Sequence, residues 1–430
     1  MRILSFPPAD KTEVLAALER PTRDFALYRR QVLPILESVR RDGDAALLKL
    51  SKQFDGVEPA SIRVSRDELQ RAMDALPSDL RCALDAAKET ITRFHQPEEM
   101  IAEPVETRPG VSCWRETRAI ESVGLYVPGG TAPLVSSVLM LGIPALLAGV
   151  PRIALCTPPG KDGRVSDAIL AACALVGIEE VYAVGGAQAI AALAYGTQTV
   201  PKVAKIAGPG NVYVAAAKAE VSIDPNGAAI DMLAGPSELL VMADDAARPA
   251  LVAADMLSQA EHDRQSQVVL LSTNAALVES VWQELAHQVS QLPRREIAEA
   301  SLAGSVAVVV ESLDAAVELA NAYAPEHLSI QTRRPESLVA RIRNAGSVFL
   351  GPFSPEAVGD YCSGTNHVLP TSGVARVQGG VSVRTFQKTF TVQQLSRDGL
   401  ARLAKATTLL ARSEGLESHA RAVESRLCEP

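Results

Sequence analysis

The sequence predicts an α/β protein with two parallel sheets, because short strands alternate with helices over most of the chain. From about Arg118 onward, short apolar segments are separated by Ala-rich helices. This alternation is typical of parallel strands that are joined by crossover helices. A chain of 430 residues also has enough material for more than one domain. We therefore expect a mainly helical region at 1–117, α/β lobes at 118–236 and 237–385, and a helical tail at 386–430.

Helical patterns interrupted by Pro, Gly and Asp fill the N-terminal region. Four segments have this periodicity: Lys11–Leu18, Asp24–Phe54, Arg66–Leu76 and Asp79–Phe94. No pattern of catalytic residues stands out in any of them, and we assign no chemistry to this region.

Nine strands and six helices are predicted in the two lobes. The strands are Ser122–Val127, Arg152–Thr157, Glu180–Val184, Ala204–Ala207, Glu238–Met242, Gln267–Leu271, Val306–Val310, Leu328–Gln331 and Ser347–Leu350. The helices are Leu134–Ala148, Ser166–Val176, Ala187–Tyr195, Val212–Glu220, Leu313–Tyr323 and Glu336–Asn344. The most apolar segment, Leu134–Val150, is interrupted by Gly142, Pro144 and Gly149, which favours a buried helix of a soluble fold over a membrane span.

The C-terminal tail is predicted to be helical over Gln393–Arg412 and Ser413–Leu427. One stripe of the second segment contains Leu416, His419, Val423 and Leu427. A histidine in such a stripe is usually a packed and hydrogen-bonded core residue. The alternative is that the tail docks elsewhere and delivers His419 to a functional site.

Composition excludes several classes of function. The net charge of −8 argues against nucleic acid or an anionic membrane as the main partner, and the 4% of aromatic residues argues against base stacking. The six cysteines form no CxxC pair, which indicates a reducing compartment and disfavours a thiolate zinc site. No signal-peptide core precedes the prolines near the N-terminus. We predict a cytoplasmic protein.

Three glycine-rich turns follow predicted strands, at Val127–Gly130, Val184–Ala187 and Ala207–Asn211. Such turns let backbone N–H groups approach a phosphate or ribose at the start of a helix. None matches the GxGxxG pattern of dinucleotide-binding folds, and glycine is common at any strand-to-helix corner. Three such turns within about ninety residues favour a ligand site and a purely structural role equally.

The segment Asp255–Asp263 contains a candidate half of a metal site. Gln259 and His262 are three residues apart on a predicted helix, so their side chains project from one face. An imidazole and an amide oxygen could bind a metal whose other ligands come from distant segments. The simpler alternative is the solvated face of an amphipathic helix.

Two further stretches carry chemically suitable residues. Glu326 and His327 lie in the corner between a predicted helix and strand, where a carboxylate and an imidazole suit proton transfer. Asp360 lies in a segment rich in Gly, Ser and Thr and can offer a carboxylate to a metal. His367 fits either a ligand or a buried hydrogen-bonded role.

Taken together, these motifs resemble the L-histidinol dehydrogenase family. The resemblance is carried from about residue 25 by GLYVPGG, GGAQAIAALAYGT, GPGNVYVAAAK, IDMLAGPSE, DMLSQAEHD, NAYAPEHL, GDYCSGTNHVLPT and EGLESHARAV. It implies a zinc-dependent oxidation of L-histidinol to L-histidine through L-histidinaldehyde with two NAD+, the last step of histidine biosynthesis. It also implies two incomplete Rossmann-like lobes, and a homodimer whose C-terminal tails are exchanged. Leu416 departs from the phenylalanine common in the last motif, at a position without chemistry.

Carried onto this sequence, the resemblance implies specific site residues. Zinc, one ion per subunit, would be held by Gln259, His262, Asp360 and His419, the last from the other subunit. NAD+ would contact Tyr126, Gln188 and Asn211. The substrate would contact Ser237, Gln259, His262, Glu326, His327, Asp360, Glu414 and His419. His327 would take protons during oxidation, and Glu326 would activate the water that hydrates the aldehyde.

Three alternatives stay open from the residues. The same fold and cofactors could act on another small alcohol or diol, although Ser237 and Glu414 offer partners for an imidazole and an ammonium group. A two-lobed small-molecule binding protein would need no metal and would carry a secretion signal. An aldehyde-dehydrogenase-like enzyme would need a cysteine nucleophile beside a base, and only Cys362 lies near Asp360 in sequence.

Overall fold

The computed structural model describes residues 2–6, 11–20, 25–96, 103–129, 133–233 and 235–428. Gly130 of the first glycine-rich turn therefore lies outside the described residues. The strands are β1 (Arg2–Phe6), β2 (Val105–Arg108), β3 (Val111–Ala119), β4 (Ser122–Tyr126), β5 (Arg152–Thr157), β6 (Glu180–Ala183), β7 (Lys205–Ala207), β8 (Ala229–Ile230), β9 (Glu238–Ala243), β10 (Gln267–Ser272), β11 (Val306–Val310), β12 (His327–Gln331), β13 (Ser347–Leu350) and β14 (Gln387–Leu395).

Helices separate most of these strands. They are α1 (Lys11–Ala17), α2 (Phe25–Asp42), α3 (Asp44–Phe54), α4 (Arg66–Asp74), α5 (Ser78–His95), α6 (Val135–Leu147), α7 (Asp167–Val176), α8 (Gly186–Tyr195), α9 (Val212–Ile223), α10 (Pro249–Ala260), α11 (Ala275–Val289), α12 (Arg295–Ala303), α13 (Leu313–Tyr323), α14 (Glu336–Val339), α15 (Glu356–Tyr361), α16 (Arg397–Ser413) and α17 (Glu417–Cys428). The α/β class and the parallel sheets predicted from the sequence are confirmed. None of the described helices combines the length and apolar character needed to cross a bilayer.

The chain divides into two compact units, of which the first comprises residues 1–96 and 121–386. It contains a five-stranded sheet in the order β6-β5-β4-β7-β8, in which all strand pairs are parallel. The glycine-rich turns follow the carboxyl ends of β4, β6 and β7, of which β4 and β7 are neighbours and β6 is separated from β4 by β5. In open parallel sheets this edge is the usual place for a ligand.

The first unit also contains a parallel six-stranded sheet in the order β1-β11-β10-β9-β12-β13. Alternate residues of β9 pack into separate apolar clusters, with Leu239 and Val241 on the face covered by α10 and α11, and Leu240 on the face covered by α13. Burial on both faces explains why these strands are almost continuously apolar. Polar residues at their ends are therefore conspicuous, and Glu238 and His327 are the first residues of β9 and β12.

The second unit comprises residues 97–120 and 387–430. Its antiparallel sheet has the order β14-β3-β2, and α16 and α17 pack against each other. The tail predicted to be helical from Gln393 instead begins with strand β14, and its helix starts at Arg397. Nine residues of β14 pair with β3, and at Gln393–Leu395 this long-range pairing outweighs the expected helical pattern.

Several other elements differ from the sequence-based expectation. The N-terminal Arg2–Phe6 is an unpredicted strand that pairs with β11, while α11 and α12 were also missed. The single pattern at Asp24–Phe54 is two helices, because Gly43 has a φ of 57° that ends the first one. The helix expected at Glu336–Asn344 ends after four residues.

Candidate active site

The predicted acid–base pair lies in a buried corner of the six-stranded sheet. α13 ends at Tyr323, and Ala324 adopts a left-handed conformation with a φ of 55°. Pro325 follows, and β12 begins at His327. This sharp turn places Glu326 and His327 inside the protein, where they are 5% and 4% exposed.

The main chain of Glu238 contacts both members of this pair. Its N–H donates to Glu326 Oε2 at 2.8 Å, and its carbonyl oxygen lies 3.1 Å from His327 Nδ1. A carbonyl can only accept, so Nδ1 carries the proton of the neutral imidazole. Nε2 then has the lone pair, and this buried atom has no hydrogen-bond partner in the described part of the chain. When the ring is neutral, Nε2 is therefore the atom that can accept a proton from a bound molecule.

Carboxylates surround the imidazole of His327. Nδ1 lies 3.8 Å from Glu356 Oε1 and 3.6 Å from Glu326 Oε2, and Nε2 lies 3.7 Å from Asp360 Oδ1. Burial alone would lower the pKa of His327, but the three negative groups outweigh it and raise that pKa well above its ordinary value. The ring also stacks on Phe349, with the centroids 6.0 Å apart.

Glu326 is buried strongly enough to change its protonation. Burial raises its pKa to about 8, against the opposing effects of His327 and of the Glu238 N–H group. A carboxyl group with this pKa exchanges protons near neutral pH, which suits a general base. Burial likewise raises the pKa of Glu356 to about 8.

Asp360, His262 and Gln259 belong to neighbouring elements. Asp360 lies in α15, which packs against α10, and Gln259 lies in the last turn of α10. α10 ends at Ala260, so His262 is in the following turn and not on the helix that the spacing predicts. Its N–H donates to the Gln259 carbonyl at 3.2 Å, which keeps the two residues adjacent.

The properties of these three residues fit a metal site. Gln259 is fully buried, and both polar atoms of its amide lack a partner in the described residues. Buried amides are normally hydrogen-bonded, so the Gln259 amide oxygen fits the role of a metal ligand. His262 is solvent-exposed, yet desolvation by nearby atoms still lowers its pKa and favours the neutral form that binds metals. Burial would raise the pKa of Asp360, but the charge of the neighbouring His327 ring in its protonated form keeps that pKa below its usual value.

A second trio of potential ligands overlaps this one. Ligand atoms of His327, Glu356 and Asp360 lie within 4.8 Å of one another. This trio shares only Asp360 with the set implied by the resemblance. Because Nδ1 of His327 is already bonded to Glu238, only its Nε2 would be available to a metal.

His367, which the sequence left open as a ligand, has partners on both ring nitrogens. Nε2 lies 3.1 Å from Ser137 Oγ, and Nδ1 lies 2.9 Å from the Asp360 carbonyl. Burial lowers its pKa, which is consistent with a neutral ring. His367 therefore anchors the Asp360 segment to α6 and has no free nitrogen for a metal.

The three residues implied for NAD+ line one cavity of about 1160 Å³. Tyr126 lies at the end of β4, and its hydroxyl accepts from the Gly186 N–H at 3.0 Å. Gln188 is buried in the first turn of α8 with an unpartnered Nε2, and Asn211 caps α9 through its side-chain oxygen. The volume is slightly above the usual range for ligand pockets, roughly 300–1,000 Å³. The cavity lining does not include Glu326 or His327.

Comparison with known proteins decides the family. A family model described as histidinol dehydrogenase matches residues 18–427. Histidinol dehydrogenases from Vibrio cholerae and Xylella fastidiosa are each 49% identical over 428 residues, covering 99% of this chain and 98% and 99% of their own lengths. A crystal structure of histidinol dehydrogenase from Elizabethkingia anophelis has a TM-score of 0.95 and 44% identity, covering 99% of this chain and 98% of that chain.

The chain belongs to the histidinol dehydrogenase family. This membership makes it an oxidoreductase. The close structural match also supports the α/β fold class with parallel sheets.

Three residues implied by the histidinol dehydrogenase resemblance lie apart from the acid–base corner in sequence. Ser237 directly precedes Glu238, and its carbonyl accepts from the Gln267 N–H at 3.1 Å. Glu414 and His419 belong to the second unit, after α16 and within α17. Both are exposed. Leu416, which belongs to the same predicted stripe as His419, is 42% exposed. The other two residues of the stripe, Val423 and Leu427, are half-buried.

Sequence reasoning missed functional candidates in two places. Glu356 and Glu238 flank the acid–base pair. The sequence marked Glu238 only as an acidic residue at the start of the apolar strand Glu238–Ala243, and it did not mark Glu356. Asp55, Lys161 and Arg164 line the same cavity as Tyr126, Gln188 and Asn211. Asp55 ends a helix of the region to which we assigned no chemistry, and no local pattern marks it as a cavity residue.

Proposed function

We propose that this protein oxidises L-histidinol to L-histidine through L-histidinaldehyde, with two NAD+ and one zinc ion per subunit, as the last step of histidine biosynthesis. The observation that carries the proposal is the buried Glu326–His327 pair, in which Glu238 orients both groups. Two hydrides leave the substrate, so four electrons are transferred in all. The second oxidation also adds one water oxygen to the substrate carbon.

His327 is the proton acceptor in the first step. Because its Nδ1–H is bonded to Glu238, Nε2 presents its lone pair to the substrate hydroxyl. Removal of that proton accompanies loss of hydride from the carbinol carbon and leaves the aldehyde. The raised pKa of His327 makes it a strong base once it is neutral.

Glu326 prepares the second step. In its ionised form the carboxylate takes a proton from water, whose oxygen adds to the aldehyde carbon. The proton that His327 took in the first step passes to the carbonyl oxygen, which completes the hydrate and leaves His327 neutral again. His327 then takes the hydrate hydroxyl proton as the second hydride leaves. The corner is almost closed to solvent, which protects the aldehyde from side reactions.

Gln259, His262 and Asp360 would hold the zinc ion, with His419 of a second subunit as the fourth protein ligand. Bound there, zinc would supply a positive charge that holds the nitrogen atoms of the substrate in place. The unpartnered amide of Gln259 and the exposed position of His262 support this assignment, because a ligand from another chain needs open access.

NAD+ would bind in the cavity formed by Tyr126, Gln188 and Asn211, and would accept the hydride in each oxidation. Burial raises the pKa of Tyr126 to about 12, so its hydroxyl stays neutral at physiological pH. Ser237 and Glu414 would contact the substrate. Glu414 would come from the partner subunit together with His419, in a homodimer with exchanged tails.

Turnover and metal content together test the proposal. The purified protein should form two NADH and one L-histidine per L-histidinol, with one zinc per chain. Simple diols of similar size should react much more slowly, because they lack the nitrogen groups that Glu414 and Ser237 would bind. Faster turnover of a diol would favour the alternative substrate class, and absence of NAD-dependent oxidation would contradict the proposal.

A further inference from the structure

A nearly buried ion pair lies directly behind the acid–base corner. Nε and Nη2 of Arg20 donate to the two carboxylate oxygens of Glu238 at 2.5 and 2.8 Å. The side chains of Arg20 and Glu238 are 20% and 3% exposed. The guanidinium also lies over the ring of Tyr323, 4.0 Å from its centroid. A bidentate pair with a stacked guanidinium has a well-defined geometry, which lysine cannot reproduce.

The same ion pair contacts both strained residues of the described chain. Among the described residues, Ala324 and Ser372 are the non-glycine residues with a positive φ, at 55° and 56°. Arg20 Nη2 donates to the Ala324 carbonyl at 3.3 Å and to the Tyr323 carbonyl at 2.9 Å. The Ser372 N–H donates to Glu238 Oε1 at 2.8 Å. Such conformations persist only where surrounding contacts enforce them.

Glu238 connects this ion pair to the reacting groups. Its side chain is bonded to Arg20, while its N–H and carbonyl contact Glu326 and His327. Arg20 also holds the carbonyl of Ala324, two residues before Glu326. The guanidinium therefore fixes the corner from two directions, at the start of β9 and at the end of α13.

We propose that Arg20 is a positioning residue for the oxidation, acting through Glu238 and Ala324 on the orientation of Glu326 and His327. The inference depends on the proposed function, because it concerns the rate of those proton transfers. Without the guanidinium, Glu238 and Ala324 can relax, and the imidazole tilts away from its reactive orientation. Small displacements of this kind can lower a rate by as much as about 100-fold.

The test compares Arg20→Met, Arg20→Lys and a control, Arg341→Met. Arg341 pairs with Asp314 at the surface of the same unit and contacts no residue of the acid–base corner in the described structure. In Arg20→Met we expect kcat to fall by about 10- to 100-fold. The KM for NAD+ and the zinc content should stay unchanged. Arg20→Lys keeps the positive charge but loses the bidentate geometry of the guanidinium. Its kcat should therefore lie between those of Arg20→Met and the wild type.

A kinetic isotope effect separates positioning from simple destabilisation. With histidinol deuterated at the carbinol carbon, Arg20→Met should show a larger isotope effect on kcat than the wild type, because hydride loss becomes more rate-limiting. If Arg20 had only a structural role, its substitution would lower the fraction of folded enzyme. The enzyme that remains folded would then show the same isotope effect as the wild type. An unchanged isotope effect in Arg20→Met would overturn the positioning role. If Arg20→Met does not fold, the same result in Arg20→Lys would overturn it.

The wild-type assay distinguishes the two levels of inference. A wild type without histidinol oxidation overturns the proposed function, and the role of Arg20 falls with it. A fully active wild type with a fully active Arg20→Met variant overturns the positioning role alone. The expected result is an active wild type, an active Arg341→Met control and a slow Arg20→Met variant.

Discussion

Lys218 and Asp231 form a buried ion pair that holds both polar main-chain groups of Gly208. The ammonium lies 2.5 Å from Asp231 Oδ1 and donates to the Gly208 carbonyl at 2.9 Å. Asp231 Oδ2 accepts from the Gly208 N–H at 2.8 Å. Gly208 has a φ of 125°, and a Cβ there would lie 2.2 Å from the Tyr126 carbonyl oxygen. The pair thus fixes the turn that leads to Asn211.

Lys218→Met should weaken cofactor binding through this turn. The substitution leaves the Asp231 carboxylate buried and unpaired, which lowers the free energy of unfolding by about 3–5 kcal/mol. We expect the KM for NAD+ to rise roughly tenfold, equivalent to about 1.4 kcal/mol of lost binding. Lys202→Met is the matched control, because Lys202 is exposed and donates only to the Asn226 carbonyl. An unchanged KM in folded Lys218→Met would disprove the link to the cofactor turn.

His262→Ala should lose bound zinc while the protein stays folded. The residue is exposed and lies in a turn, so its removal leaves no large cavity in the core. Metal analysis after gel filtration, together with circular dichroism, measures both properties. His287→Ala is the control, because His287 is an exposed histidine of α11. Full zinc occupancy in His262→Ala would remove His262 from the ligand set.

His327→Asn should depress turnover by about 10²- to 10⁴-fold, which is the usual contribution of a general base. Zinc should be retained, because His327 is assigned to proton transfer and not to metal binding. Loss of zinc would instead favour the trio of His327, Glu356 and Asp360 as the metal site. The zinc content therefore decides between the two ligand sets.

Glu326→Gln should impair the oxidation of supplied histidinaldehyde more than the oxidation of histidinol to the aldehyde. Only the second step needs a water molecule from which a proton is removed. The carboxylate must be ionised, and burial raises its pKa to about 8, so the wild-type rate of aldehyde oxidation should increase with pH up to about 8. Glu326→Gln should lack this increase. Equal losses in both half-reactions, measured from NADH formation between pH 6 and 9, would count against the assigned role.

Mixing two inactive variants, His262→Ala and His419→Ala, should restore activity if the tails are exchanged in a dimer. In a mixed dimer both substitutions fall at one site, and the other site is intact. Exposure of His419 and Leu416 in the single chain motivates the expectation, since such a stripe is normally covered. If labelled subunits exchange and no activity returns, each tail serves its own subunit.

The cytoplasmic location stays a prediction.

Much of the fold could be predicted because its signals are local. All nine strands predicted from the strand–helix alternation are present in the structure. Three of them match it residue for residue, at Arg152–Thr157, Val306–Val310 and Ser347–Leu350. Gln387–Leu395 could not be recognised in the same way. Its strand depends on pairing with Val111–Ala119, more than 250 positions earlier in the chain, and the helical segment expected from Gln393 onward overlaps its last three residues.

The sequence by itself determined that Glu326 and His327 share a corner, because adjacency in the chain and the preceding Pro325 place them there. Only the tertiary structure decided which atom of His327 is free, since that depends on the main chain of Glu238, whose carbonyl has no sequence signature. It also decided that Arg20 pairs with Glu238, which lies 218 positions away in the chain. Local periodicity reports which face of an element is buried, whereas contacts between distant segments form only when the sheets are assembled.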